Sequence, residues 1–390
     1  MSWNFDQTVD RRKSDSVKWG TYDPDVLPMW IADMDFPAPP AIIQALQERV
    51  SHGVFGYAKR PMALIEVIQE RLQRQYQWAV PAEAIVFVPG VVPGFNLAIR
   101  SLSKVSGEVL IQTPVYPPFL KAAGHSGMST RIQQLSRKDH SSYIIDLDKF
   151  KMAVGPQTKA FLLCNPHNPV GRVFRSIELE AMAELCLRNH VPMISDEIHC
   201  DLIYEGGQHL PLASMSPEIA HLTITLMSPS KTFNLAGLEF AFAIILNPEL
   251  RRGFEAARNG MVPVSNVLAY VSAFAAYRDG QAWLESLLSY LEANRDFVYQ
   301  YVAGKLPGVS MVKPEATYLA WLDCREANLP CNAAKFFLNN ARVALNDGRK
   351  FGPGGEGFVR LNFGCPRSRL AEGLERLAFA LDNREDILDQ

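Results

Sequence analysis

Short apolar runs alternate with longer amphipathic stretches along most of this chain. The runs at 85–88, 109–113, 160–164, 191–195 and 222–227 are rich in Val, Ile, Leu and Phe and are bounded by Pro, Gly or polar residues, which predicts buried strands. Between them the spacing turns helical. A helix is expected over 40–50, with Pro40 at its start and Ile42, Ile43, Leu46 and Val50 on one face. Others are expected over 64–76, from Gly94 to 102, and over 178–189. Strand, polar loop and helix in repetition predict an α/β domain built on a mostly parallel sheet. In such sheets, ligands bind beyond the carboxyl ends of the strands. Four polar residues follow strands in that way: Tyr116, Asn168, Asp196 and Lys231.

Past residue 280 the pattern changes. A long helix is expected over 283–306, with Leu284, Leu287, Leu288, Leu291 and Phe297 on its apolar face. Strands at 318–322 and 358–363 and a closing helix at 370–381 read as a smaller α+β domain. The expected division is an N-terminal arm with part of the small domain at 1–40, a large domain at 41–285, and a small domain at 286–390. The arm carries Val26-Leu-Pro-Met-Trp-Ile-Ala-Asp-Met-Asp-Phe-Pro37, apolar and aromatic enough to need a surface to pack on. Asp33 and Asp35 read as turn and capping carboxylates, since no third ligand stands near them for a metal.

With 48% hydrophobic residues in 390, a large core is available, and a formal charge of −2 gives no sign of a nucleic-acid or anionic-membrane partner. The N-terminal residues lack the apolar stretch of a secretory signal, and no apolar run reaches the length of a membrane span. The six cysteines show neither C-x-x-C pairs nor zinc spacing and read as reduced thiols, which points to the cytoplasm.

The candidate chemistry centres on Ser228-Pro-Ser-Lys-Thr-Phe-Asn234. A lysine at the end of a buried strand suits imine chemistry, because burial disfavours its charged form. Ser228, Ser230 and Thr232 can donate to an anion such as a phosphate. The turn Pro89-Gly-Val-Val-Pro-Gly94, between a strand and a helix, offers further N–H groups. Arg360, inside an apolar strand, needs a carboxylate or water opposite it. The glycine-rich segment 351–357 lacks the strand-before, helix-after context of a nucleotide fingerprint.

Taken together, Asn165-Pro-His-Asn-Pro-Val-Gly171, Ser195-Asp-Glu-Ile-His199, the Lys231 heptapeptide and Arg360-Leu-Asn362 resemble fold-type I pyridoxal-phosphate enzymes of the class I/II aminotransferase branch. Met29-Trp-Ile-Ala-Asp-Met-Asp-Phe36, His52-Gly-Val-Phe-Gly-Tyr57 and Tyr318-Leu-Ala-Trp-Leu-Asp323 narrow the resemblance to the cystathionine β-lyase (C-S lyase) group of the PatB/MalY type. The resemblance implies pyridoxal 5'-phosphate linked to Lys231, which would also be the base. Asp196 would pair with the ring nitrogen, Asn168 with the phenolic oxygen, and Tyr116 would stack on the ring. Val91 and Val92 backbone, Ser228 and Ser230 would hold the phosphate, with Tyr57 reaching it from a second subunit of a homodimer. Arg360 would clamp the substrate carboxylate, helped by Asn168. Glu239 stands where the wider branch has an arginine, and His199 where many relatives have a tyrosine. The implied reaction is β-elimination of cystathionine or a related S-substituted cysteine. An aminotransferase would use the same residues, and a regulatory binding protein on this fold is the reading from another class.

Overall fold

The computed structural model describes residues 3–103, 106–138 and 142–384; the last residues of the expected small domain, 385–390, lie outside them. Its centre is a seven-stranded sheet of β1 (Ile85–Val88), β2 (Glu108–Thr113), β3 (Ser129–Gln134), β4 (Thr158–Cys164), β5 (Met193–Asp196), β6 (Thr223–Met227) and β7 (Ala241–Ile244), in the order β1-β7-β6-β5-β4-β2-β3. From β6 to β3 every pairing is parallel. β7 runs antiparallel to both neighbours. The central strands are buried almost throughout, Lys159 of β4 apart, which is why β4 and β5 read as apolar runs and why the threonines of β6 are buried with its apolar residues. β3 escaped the sequence reading because it is an edge strand, Ser129-Thr-Arg-Ile-Gln-Gln134, largely exposed and almost without apolar residues.

Helices cover both faces. They include α1 (Pro40–Ser51), α2 (Met62–Tyr76), α3 (Val91–Leu102), α4 (Ser176–Arg188) and α5 (Val267–Asp279). α3 lies so close to the sheet that a Cβ on Gly94 would stand 2.8 Å from Leu226 Cδ2. α5 packs on α1 and α2, and its apolar residues surround the helix, so no one-sided periodicity marked it. The expected apolar face of α1 is divided. Ile42 is buried against α5, whereas Ile43 and Val50 stay 39% and 51% exposed.

The long α6 (Gln281–Lys305) leads to an antiparallel sheet of β8 (Ser310–Met311), β9 (Leu319–Asp323), β10 (Asn346–Asp347) and β11 (Phe358–Asn362), ordered β8-β9-β11-β10. α7 (Arg367–Asp382) follows. The N-terminal segment crosses both sheets' territory. Leu27–Pro28 pairs in parallel with Val343–Ala344. Residues 30–36 then run past the end of β11, where Asn362 Nδ2 donates to the carbonyls of Ile31 and Asp33, both at 2.6 Å. On the other side, the Asn234 side chain donates to Met34 O and Phe36 O and accepts from Met34 N. Asp33 and Asp35 turn inward rather than capping a turn. Asp35 is buried, accepting from Lys18 at 2.9 Å, Arg11 at 2.8 Å and Trp19 Nε1 at 2.9 Å. Among the described residues, no helix is long and apolar enough to cross a membrane.

Candidate active site

Parallel strands deliver their carboxyl ends to one edge of the sheet, and the register makes that delivery specific. Cys164, Asp196 and Leu226 stand opposite one another on β4, β5 and β6. The segments that follow therefore leave side by side, carrying Asn168, His199 and Lys231. β2, the neighbour of β4 on the other side, ends beside them and presents Tyr116. Here the chain forms a cavity of about 410 Å³, lined by Val91, Val92, Tyr116, Asn168, Asp196, His199, Ser228, Ser230, Lys231, Glu239 and Arg360, among others. This size lies in the usual range for small-molecule sites.

At one end sits the start of α3. Gly90 precedes it at φ +121°, a backbone conformation that strains any L side chain. No side chain caps the helix, so the N–H groups of Val91 and Val92 face the cavity end without an internal acceptor. Beside them, Ser228 Oγ lies 2.8 Å from Ser230 Oγ and donates to Phe240 O at 2.5 Å. Ser230 Oγ also reaches Phe240 O at 3.4 Å, so the two hydroxyl protons are shared among Ser228, Ser230 and that carbonyl, and an arriving anion would draw one of them away. Thr232 is excluded from this end: its hydroxyl donates to Asp201 at 2.9 Å, and Asp201 is held in turn by Arg71 at 2.6 Å. Glu239 is exposed at φ +53°, with no side-chain hydrogen bond among the described residues. An anion here meets neutral donors and no guanidinium.

In the middle, burial pushes Lys231 down to about 8, with Arg360 adding to that and Asp33 and Asp196 opposing it. Its amine donates to the carbonyl of Ala32 at 2.5 Å, which also accepts from Tyr318 Oη at 3.0 Å. Burial likewise raises Asp196 to about 7, although the Ile198 N–H donates to it at 3.1 Å. The phenol of Tyr116 is raised by burial too.

At the far end lies Arg360 in the middle of β11. One of its amino groups donates to Asn168 Oδ1 at 2.9 Å, the other to Trp30 O at 2.9 Å and Asn346 Oδ1 at 2.6 Å. Nε is sealed from solvent without an acceptor. Among the described residues, no carboxylate pairs with it, and burial lowers it to about 10. A buried guanidinium without a counter-charge is costly and is matched by a carboxylate-bearing ligand.

Nine of the ten expected site residues therefore meet in one cavity. Tyr57 does not: it stands fully exposed in the loop between α1 and α2. The structure adds lining residues to which the sequence assigned no place in the site: Trp30, Ile31 and Ala32 from the N-terminal segment, Asn346 of β10 and Phe351 from the turn after it. Trp30, Ile31 and Ala32 belong to a motif that carried the resemblance, but nothing in it said that they line the cavity. The wall suits a flat cofactor carrying an aromatic nitrogen, a carbonyl to join an amine, and a phosphate. Donors for the anion, an amine, a carboxyl and an aromatic face are all present, with a cation left over for a substrate carboxylate.

Known proteins share this architecture. Residues 24–377 match the family model for aminotransferase class I and II. Cystathionine beta-lyase PatB of Bacillus subtilis is 40% identical over 97% of this chain and 100% of its own length. The solved structure of OvoB superposes with a TM-score of 0.93 at 48% identity, covering 97% of this chain and 99% of that one. Cystalysin from Treponema denticola, whose structure contains pyridoxal 5'-phosphate, gives a TM-score of 0.94 at 32% identity over 98% and 100% of the two chains. With its sequence matched over most of its length and its fold matched end to end, the chain belongs to the aminotransferase class I and II family.

Proposed function

We propose that this protein is a pyridoxal-phosphate-dependent carbon–sulfur β-lyase acting on L-cystathionine or a related S-substituted cysteine, releasing pyruvate, ammonia and a thiol. The observation that carries the reading is the meeting of a lysine of lowered proton affinity, a buried carboxyl and an arginine without a carboxylate partner in one cavity. The full-length likeness to a cystathionine β-lyase favours elimination over amino transfer.

Val91 and Val92 N–H groups, with Ser228 and Ser230, would hold the phosphate. Tyr116 would cover one ring face, Asn168 would donate to the phenolic oxygen, and Asp196 would keep a proton on the ring nitrogen. Bound there, pyridoxal phosphate supplies an electron sink for the pair left when a proton leaves Cα. Lys231 Nζ would anchor the cofactor and, as a free amine, would take this proton. Because burial lowers its proton affinity, the amine is available as a base near neutral pH. Arg360 would exchange its bonds to backbone and amide oxygens for the substrate α-carboxylate, with Asn168 helping, and so aim Cα at Lys231. Loss of the thiolate from Cβ then follows from where the electron pair goes.

A homodimer fits this reading. Around Tyr57 the chain exposes an apolar surface of Val54, Phe55 and Met62, and α1 exposes Ile43 and Val50; the Arg49 guanidinium lies over the Phe55 ring and leaves the surface otherwise open. We infer that a second copy covers it and that Tyr57 reaches the phosphate end of the neighbour's cavity. The six free thiols suit a cytoplasmic location.

Product analysis with added pyridoxal phosphate and L-cystathionine, without keto acid, tests the function. Catalytic pyruvate, ammonia and homocysteine are expected. Absence of these products, with amino-group exchange once a keto acid is supplied, would replace the lyase by an aminotransferase using the same residues.

A further inference from the structure

Arg360 is gripped without being neutralised. In the small sheet it stands between Trp321 of β9 and Asn346 of β10, its direct cross-strand neighbours. An opposite charge is the neighbour that stabilises such a position, and neither carries one. Asp347, one residue on, turns to the other face of its strand and is bound by Arg349 at 2.6 Å. The contacts on the Arg360 guanidinium are all neutral: Asn168 Oδ1, Trp30 O, Asn346 Oδ1 at 2.6 Å, and the face of the buried Phe351 ring at 5.0 Å.

The donor count singles out one of these contacts. A guanidinium has five N–H groups. Trp30 O and Asn346 Oδ1 take both on one amino group, Asn168 Oδ1 takes one on the other, and Nε is sealed without an acceptor. One amino N–H is left. A carboxylate held through two oxygens needs two, so one acceptor has to yield. Trp30 O belongs to backbone that the Asn362 and Asn234 side chains pin from either side, and Asn168 would be held beside the cofactor. Asn346 is a half-buried side chain on the cavity wall and can turn. Its Nδ2 has no acceptor among the described residues. Turned, the amide releases an Arg360 N–H and offers its own to the same carboxylate.

We propose that Asn346 sets the affinity of the site for the substrate α-carboxylate: as a neutral amide it holds Arg360 at the cavity wall without cancelling its charge, and it yields to the substrate. The inference rests on the function proposed above. Aspartate at this position fills the same space, but it gives the guanidinium a permanent counter-charge and sets a second negative charge beside the incoming carboxylate. Alanine removes one neutral hydrogen bond and leaves the charge free. Packing alone orders the two the other way, since aspartate keeps the volume of asparagine and alanine does not.

The test compares cofactor-loaded parent, Asn346→Asp and Asn346→Ala in two readouts: KM and kcat for L-cystathionine, and the thermal midpoint without substrate. In Asn346→Asp, KM is expected to rise about tenfold or more, and in Asn346→Ala about threefold, with kcat within about twofold of the parent's in both. The thermal midpoint is expected to rise in Asn346→Asp, because a buried cation gains a partner, and not in Asn346→Ala. A KM in Asn346→Asp no higher than in Asn346→Ala overturns the proposal, as does a loss that falls on kcat instead of KM. So does an Asn346→Asp midpoint at or below the parent's, a variant too unstable to purify included. A parent that does not turn over L-cystathionine refutes the lyase reading instead, and the thermal comparison, which needs no substrate, then decides on Asn346 by itself.

Discussion

Two clusters of buried charge lie on opposite sides of one stretch of backbone, residues 30–36, and they are built on opposite terms. On the N-terminal side, Arg11, Lys18, Asp33 and Asp35 satisfy one another: Lys18 and Asp35 are almost wholly buried yet paired at 2.9 Å, and Arg11 bridges both carboxylates. On the cavity side, Arg360, Asp196 and His199 are as deeply buried and Lys231 is half-buried, but among the described residues none of them forms an ion pair with another or with anything else. Burial consequently moves all four towards their neutral forms. Asp35 shows the contrast in one group. Burial works against its charge, but Lys18, Trp19 and Arg11 outweigh that and hold it below the ordinary carboxylate range. Paired burial contributes to the fold, and unpaired burial marks where a ligand completes the charge balance.

Removing the amine should give the largest effect. Lys231→Ala is expected to lower turnover by about 10⁴-fold or more, since base and covalent anchor go together, while thermal unfolding stays near the parent's. Near-parental turnover would sink the assignment of the cavity. Asp35→Asn should do the reverse. It leaves the buried Lys18 ammonium with only the longer Asp33 pairing, at 3.6 Å, among the described residues and should cost about 3–5 kcal/mol of stability, read from the denaturant midpoint. Because the folded-state value of Asp35 is depressed, its contribution is present above the unfolded carboxylate value of about 3.9 and is lost as pH falls through the lower folded value. The gap between parent and variant should therefore shrink in acid; a gap independent of pH would mean that the charge of Asp35 is not what matters.

Arg360→Ala tests whether the unpaired arginine is kept for substrate. Loss of a desolvated partner for the α-carboxylate should raise the substrate's Kd by about 2–5 kcal/mol. Cofactor should still be retained, since the phosphate end does not involve Arg360, although its uptake should slow because Lys231 loses a neighbouring cation that lowers its proton affinity. Unaltered substrate affinity would move Arg360 to the structural side of the comparison.

Much of this contrast was legible in the sequence, and part was not. Strand ends announce Tyr116, Asn168, Asp196 and Lys231, because a parallel sheet collects whatever follows its strands. Arg360 announced itself by standing charged in an apolar strand. The role of residues 30–36 was hidden because backbone carbonyls do the work. Trp30 O holds Arg360, and Ala32 O holds Lys231. A carbonyl has no residue identity to read. The pairing of Lys18 with Asp35 was hidden by chain path: nothing in the spacing of a lysine and an aspartate 17 positions apart says that both turn inward. Tyr57 is the converse case, conspicuous in its Gly-flanked segment but without a place inside its own chain.

The smallest expected effect concerns the rate at which cofactor-free protein takes up pyridoxal phosphate. Only the neutral amine of Lys231 can attack the cofactor's carbonyl. With its value lowered to about 8, the reactive fraction rises roughly tenfold per pH unit below that point and levels off above it. An ordinary solvated lysine would keep rising to about 10.4. Stopped-flow uptake between pH 6 and 10 separates the two: a plateau setting in near 8 places Lys231 with the unpaired, ligand-awaiting cluster, whereas a rate still climbing at 10 would mean that its charge is compensated in place, and the comparison between the two sides of residues 30–36 would collapse.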